Sequence, residues 1–148
     1  MSYEFFTDED LLKLLENDQL LEILHLLKSG LNPDSPIKHY GSLLNAAIVR
    51  GHDELIDPLL NLFANVNVPD ETGKNSIYHA VKKGRQDLVQ KLLWFGADLD
   101  MIDDNNNCLL SEAISRGNND IVIDLIHDGI DISQSDPSML FSAAQVRY

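Results

Sequence analysis

The sequence predicts an all-α solenoid of stacked helix-turn-helix units joined by short hairpin loops. Three observations carry that prediction. First, several residue series share one spacing: Ala47, Ala80 and Ala113, then Gly51, Gly84 and Gly117, then Leu60, Leu93 and Ile126 are each 33 positions apart. Gly96 and Gly129, and Asp70 and Asp103, keep the same step. Second, each period holds two short apolar-striped segments separated by a glycine, the residue that accepts the positive φ ending a helix. Third, two such short helices cannot bury their apolar faces alone, so units of this kind must stack.

The third unit shows the plan best. Ser76 to Lys83 reads as a short helix stopped by Gly84. Gln86 to Phe95 reads as a second, with Leu88, Val89, Leu92 and Leu93 on one stripe. Gly96-Ala97-Asp98-Leu99-Asp100 closes it, and a turn leads on. Carried along the chain, the period gives units over 3–36, 37–69, 70–102 and 103–135. A half-unit over 136–148 completes a single domain, 1–148, with Ser138 to Val146 as an unfinished first helix. Residues 8–32 form a degenerate first unit ending Gly30-Leu31-Asn32. Pro58 falls inside the second helix of its unit. It removes a backbone donor and is expected to kink or loosen that helix, at up to about 3 kcal/mol.

These residues resemble the ankyrin repeat, whose pattern runs Asp-x-x-Gly-x-Thr-Pro-Leu-His-x-Ala, a later Gly, a Leu-Leu pair and Gly-Ala-Asp-Val-Asn. The third unit supplies Asp70, Gly73, Ile77, Ala80, Gly84, Leu92-Leu93 and Gly96 to Asp100. The fourth supplies Asp103, Leu110, Ala113, Gly117, Leu125-Ile126 and Gly129 to Ile132, and the second Leu44, Ala47, Gly51, Leu59-Leu60 and Ala64 to Asn67. The Thr-Pro-Leu-His segment is replaced throughout, by Asn75-Ser76-Ile77-Tyr78 and Cys108-Leu109-Leu110-Ser111. This removes hydrogen bonds that in the family tie hairpin to helix. Asn106 stands at the hairpin Gly and tolerates the left-handed region. Ile37 and Tyr40 replace the hairpin Asp and Gly of the second unit, so that hairpin is expected to be altered.

Charge narrows the choice of partner. The chain has 11 Lys and Arg against 24 Asp and Glu, a net of −13. Residues 1–36 and 101–148 each carry 2 basic and 8 acidic side chains, whereas 70–100 balance at 5 and 5. A polar exterior on the terminal units serves solubility, and such a surface repels nucleic-acid backbones and favours encounter with basic proteins. Cys108 stands alone, so no intrachain disulfide forms, which fits a reducing compartment. Met1 to Asp10 lacks the basic and apolar regions of a secretory leader, and no apolar run approaches the roughly 20 residues of a membrane span. The expectation is a cytoplasmic protein, or one exported by a route that leaves no such mark, independent of membranes and monomeric by itself.

No constellation in the chain carries recognisable chemistry. The series Asp103, Asn105, Asn107 begins like a calcium loop, but its sixth position is Cys108 and its twelfth Ile114, where geometry demands Gly and Glu. A hairpin tip is the better reading. The five histidines, His25, His39, His52, His79 and His127, form no i, i+4 pair and no zinc pattern with Cys108. No phosphate loop and no nucleophile elbow is present. The expectation is a protein with no catalytic residues, no metal and no cofactor.

The resemblance implies binding of another protein through hairpin tips and the first-helix face, which together form a concave surface. The tip candidates are Glu71, Thr72 and Lys74 in the third unit and Asp104, Asn105 and Asn107 in the fourth. Lys38, His39 and Gly41 correspond in the second. Lys82-Lys83 lies at the end of a first helix, and Arg50, Lys83 and Arg116 recur at the 33-residue step. They form either a positive ladder for partner carboxylates or a merely solvated position. Leu62-Phe63 and Trp94-Phe95 are read as equivalent pairs ending two adjacent second helices. They serve either as interface anchors or as filling for space left by weak hairpins. The acidic ends, with Asp8, Glu9, Asp10, Glu16, Asp18 and Glu22 on one and Asp120, Asp124, Asp128, Asp131 and Asp136 on the other, offer a third surface. The leading expectation is a protein-interaction scaffold. The alternatives are an acidic inhibitor that neutralises a basic enzyme or toxin, as an immunity protein does, and a fragment of a longer protein.

Overall fold

The computed structural model of the chain describes residues 6–134, together with 137, 138 and 141. Eight α-helices lie between residues 8 and 127. They are α1 Asp8–Glu16, α2 Leu20–Lys28, α3 Leu43–Arg50, α4 Asp53–Asn61, α5 Ser76–Lys82, α6 Gln86–Trp94, α7 Leu109–Ser115 and α8 Asn119–His127. A 3₁₀ turn follows at Ile132–Gln134. The only β feature among the described residues is one bridge, Ile102 to Cys108. The expected half-unit over 136–148 lies outside the described residues apart from 137, 138 and 141.

The second helices keep exact register: α2, α4, α6 and α8 begin at 20, 53, 86 and 119 and end at 28, 61, 94 and 127. Two left-handed residues per unit fix that register. One follows each first helix: Asp18 (φ 54°), Gly51 (76°), Gly84 (67°) and Gly117 (70°). The next N–H then reaches back five residues, from Gln19 to Leu14, His52 to Ala47, Arg85 to Ala80 and Asn118 to Ala113. The other follows each second helix: Gly30 (109°), Phe63 (58°), Gly96 (83°) and Gly129 (88°). Here the closing bonds run from Leu31 to Leu26, Ala64 to Leu59, Ala97 to Leu92 and Ile130 to Leu125. This is the Schellman closure, which satisfies carbonyls a helix end would leave unpaired. The periodic glycines therefore have a backbone cause. In the first unit Asp18 does the same job without being glycine.

The missing Thr and His do not leave the hairpins untied. Ser42, Asn75 and Cys108 stand at the Thr position, and the side chain of each accepts the backbone N–H three residues on, capping α3, α5 and α7. At the His position of the second unit, buried Asn45 donates from Nδ2 to both the Tyr40 and Val68 carbonyls, at 2.9 Å each. Thr7 caps α1 in a full capping box with Asp10. These bonds to Asp10 hold its carboxyl below the usual carboxylate range. Pro58 lies inside α4, which runs from Asp53 through Asn61, and the Pro58 carbonyl accepts from the Leu62 N–H. In the third unit both helices end one residue short of the spans read from sequence, with Lys83 and Phe95 as their C-caps.

The chain groups into two compact units, Met1–Glu71 and Thr72–Tyr148. In the first, α1 pairs with α2, α3 with α4, and α2 packs on α4. Its core holds Leu11, Leu15, Ile23, Leu43, Leu44, Leu55, Leu59 and Leu60, each at most 2% exposed. In the second, α5 pairs with α6 and α7 with α8, while α5 packs on α7 and α6 on α8. Ile77, Val89, Leu92, Leu109, Leu110 and Leu125 fill that core. Ala80 and Ala113 are fully buried in α5 and α7, small enough to let two first helices approach closely.

Candidate functional site

In the first unit, α1 and the hairpin of the second repeat face one another across a groove of about 780 Å³. Asp8, Glu9, Leu12 and Glu16 form one wall, at the i, i+4, i+8 spacing that puts Asp8, Leu12 and Glu16 on one helix face. Pro36 to His39, Gly41 and Pro69 to Glu71 form the other. Ile37 is 2% exposed and anchors the hairpin wall to the core. Five carboxylates thus line the groove against one lysine, Lys38. His39 Nδ1 lies 2.8 Å from Glu71 Oε2 across the turn.

That hairpin is altered as expected. The left-handed residue moves from the Tyr40 position to His39 (φ 71°), and Gly41 adds a second (φ 76°). A Cβ on Gly41 would lie 2.1 Å from the Pro69 carbonyl oxygen, so glycine is what allows this close approach.

In the second unit the hairpin tip is organised by buried Asp103. Its Oδ1 accepts from the backbone N–H groups of Asn105 (2.9 Å) and Asn107 (2.8 Å), and its Oδ2 from Asn107 Nδ2 (3.2 Å). Burial pushes its carboxyl up, but the Asn107 and Asn105 donors and the nearby Lys74 ammonium outweigh that and hold it below the usual range. Asn106 takes φ 64° at the tip. Asp104 N donates to the Thr72 carbonyl at 3.0 Å, which brings neighbouring tips together. This is the hairpin tip that the sequence reading preferred to a calcium loop.

The other expected binding residues divide into exposed and committed groups. Asp104, Asn105, Asn107, Glu71, Thr72, Lys82, Lys83 and Arg50 are exposed. Lys74 is half-buried, with Nζ 3.8 Å from Asp103 Oδ2 and 5.4 Å from the Tyr78 ring centre. Arg116 donates from Nε to Glu112, one turn back, and Glu112 also accepts the Tyr78 hydroxyl at 3.1 Å. Burial and the Glu112 carboxylate push the Tyr78 phenol up. Of the ladder, Arg50 ends α3 in the first unit, while Lys83 and Arg116 cap α5 and α7 in the second.

A family model described as ankyrin repeats (3 copies) matches residues 13–103 and again 43–136. The chain belongs to the ankyrin-repeat family. Ankyrin repeats are generally protein–protein interaction modules and typically non-catalytic. No curated protein matches this ankyrin-repeat chain. No helix among its described residues is long and apolar enough to cross a membrane, and no cluster of three His, Cys, Asp or Glu residues suited to a metal ion occurs among them.

The aromatic pairs need correction. In the repeat register Leu62 and Phe95 are the equivalent C-caps of α4 and α6, with matching φ of −87° and −86°. Phe63 instead stands where Gly96 stands, and Trp94 stands where Asn61 stands. Trp94 is 87% exposed and Phe63 83%, so neither fills space behind a hairpin. Phe95 is half-buried. Sequence reasoning named Asp8, Glu9 and Glu16 only as parts of an acidic end. It missed that they share a groove with Lys38 and Asp70, because α1 and that hairpin are distant in sequence.

Proposed function

We propose that this ankyrin-repeat chain is a non-catalytic scaffold that holds a basic protein partner, with the groove between α1 and the second-repeat hairpin as its anchoring site. The observation that carries the reading is the groove's charge: Asp8, Glu9, Glu16, Asp70 and Glu71 against Lys38, in a chain of net charge −13. Carboxylates on two facing walls favour a cationic segment inserted between them, and the field of the whole chain draws it in. The exposed tips Thr72, Asp104, Asn105 and Asn107 are further contact points, with Arg50, Lys82 and Lys83 supplying counter-charge for acidic positions on the same partner. Buried, lone Cys108 is consistent with a reducing, cytoplasmic setting.

The test is capture from native lysate by the wild-type chain and by a variant carrying Asp8→Asn, Glu9→Gln and Glu16→Gln. The expected outcome is a basic protein retained by the wild type at low salt and lost with the variant. An identical retained set for both chains overturns the groove as the anchor.

The same charge supports a second reading, an inhibitor that neutralises a basic enzyme or toxin by covering its active site. Assaying the captured partner decides between them: a scaffold leaves its activity intact, and an inhibitor abolishes it at equimolar ratio.

A further inference from the structure

We propose that the second unit carries a separate cation-binding cleft, centred on Trp94, that receives an Arg or Lys side chain projecting from a protein partner. The cleft, about 370 Å³, is lined by Gln90, Leu93 and Trp94 of α6 and by Asp124 and Asp128 of α8 and its cap. It lies on the second helices, away from hairpin tips and first helices. Its residues are not those of the acidic groove, so either site can fail alone.

Four features point to a cation. Trp94 is 87% exposed, yet the fold asks for no aromatic there: the same register position holds Lys28, Asn61 and His127 in the other repeats. An indole left in water at a tolerant position offers its negative π face to an incoming charge. Asp124 is held in place, its Oδ2 accepting from Gln86 Nε2 at 3.0 Å and Gln90 Nε2 at 3.1 Å. Asp128, exposed at the C-cap of α8, brings a second carboxylate. Finally, α6 and α8 pack together and end at Trp94 and His127, with Trp94 and the α8 cap Asp128 lining the cleft, so the negative ends of both helix dipoles lie near it. Lys91 does not line it. An aromatic face flanked by two carboxylates matches a guanidinium or ammonium on its apolar stem, and excludes an acidic or purely aliphatic side chain.

Trp94 is the single tryptophan of the chain, so tryptophan emission, excited selectively over tyrosine, reports this cleft alone. The experiment titrates the full chain with the peptide acetyl-Gly-Gly-Arg-Gly-Gly-amide. The control peptide replaces arginine with citrulline, which keeps the shape and removes the charge. The expected result is a saturable change in Trp94 emission, at least about threefold weaker for citrulline and weakened likewise by Asp128→Asn. Amide shifts of Gly96 and Gly129 in NMR spectra give a second readout, which also serves for Trp94→Leu. Equal responses to the two peptides, or an arginine response unchanged by both Asp128→Asn and Trp94→Leu, overturn the proposal. So does concentration-dependent dimerisation that Trp94→Leu abolishes while neither peptide binds, because the occupant is then a second copy of this chain.

Discussion

The Tyr78 hydroxyl donates to Glu112 Oε2 at 3.1 Å, joining α5 to α7 in the second unit. Glu112 is tied down from its other side by Arg116, and the Lys74 ammonium sits against the Tyr78 ring. Tyr78→Phe keeps the ring and removes the donor to an ionised acceptor. The expected loss is about 1–2 kcal/mol, read from urea unfolding with an unchanged m-value. A loss as large for the variant already carrying Glu112→Ala, which has no side-chain acceptor, would show that the bond is not the cause.

Phe63 occupies a turn at which the equivalent repeat positions hold Gly30, Gly96 and Gly129, and it takes φ 58° there. A side chain in the left-handed region costs roughly 1–2 kcal/mol, and at 83% exposure this one recovers little by packing. Phe63→Gly removes the strain against about 0.5–1 kcal/mol of extra unfolded-state entropy. The expected net is a stabilisation of about 0.5–1 kcal/mol, seen as a rise of a few degrees in the thermal midpoint. Phe63→Ala retains the strain and should give no such rise.

Periodicity made the second helices legible almost to the residue, because α2, α4, α6 and α8 repeat without insertion and each is bracketed by left-handed turns. The same dependence on glycine misaligned the aromatic pairs: with Phe63 in a glycine's place, sequence alone matched it to the wrong residue of the next repeat. The loss of Thr and His looked like a loss of hydrogen bonds. Asn45 and Asn75 restore them through carbonyls that only the folded hairpins bring into reach, Asn75 Nδ2 bonding the Asp98 carbonyl. The site was legible as charge and not as shape. Asp8 and Glu71 stand far apart in sequence, and nothing local says that they line one groove.

Asp103 makes stability depend on pH with a definite sign. Its folded carboxyl lies below the usual range, so the folded state binds its proton less readily than the unfolded chain does. The stabilisation is therefore fully present above the unfolded value near about 4 and is lost as pH falls through the folded one. Asp10 and Asp87 are lowered as well, by Thr7 and Arg85 respectively, and add the same sign. Asp103→Asn is expected to cost about 1–2 kcal/mol at pH 7 and to flatten the fall in thermal midpoint between about pH 5 and pH 2. Parallel curves for variant and wild type would remove Asp103 from the account.

Gly41 sets the shape of the acidic groove. Any side chain there meets the Pro69 carbonyl carbon and oxygen, both backbone and unable to rotate aside, and must also adopt a positive φ. Gly41→Ala is expected to destabilise by more than about 1 kcal/mol. It should do so by pushing the Ile37–Gly41 turn away from Pro69 and opening the wall that faces Asp8 and Glu16. That predicts two coupled readouts: a lower unfolding midpoint, and weaker retention of the basic partner at temperatures where the variant is still folded. The local origin can be separated from global loss of stability with Leu59→Ala, a core change in α4 outside the groove, expected to cost about 2–5 kcal/mol. Under conditions where that variant remains folded, partner retention should match the wild type. If Gly41→Ala binds as the wild type does under its own folding conditions, the hairpin wall does not shape the binding site.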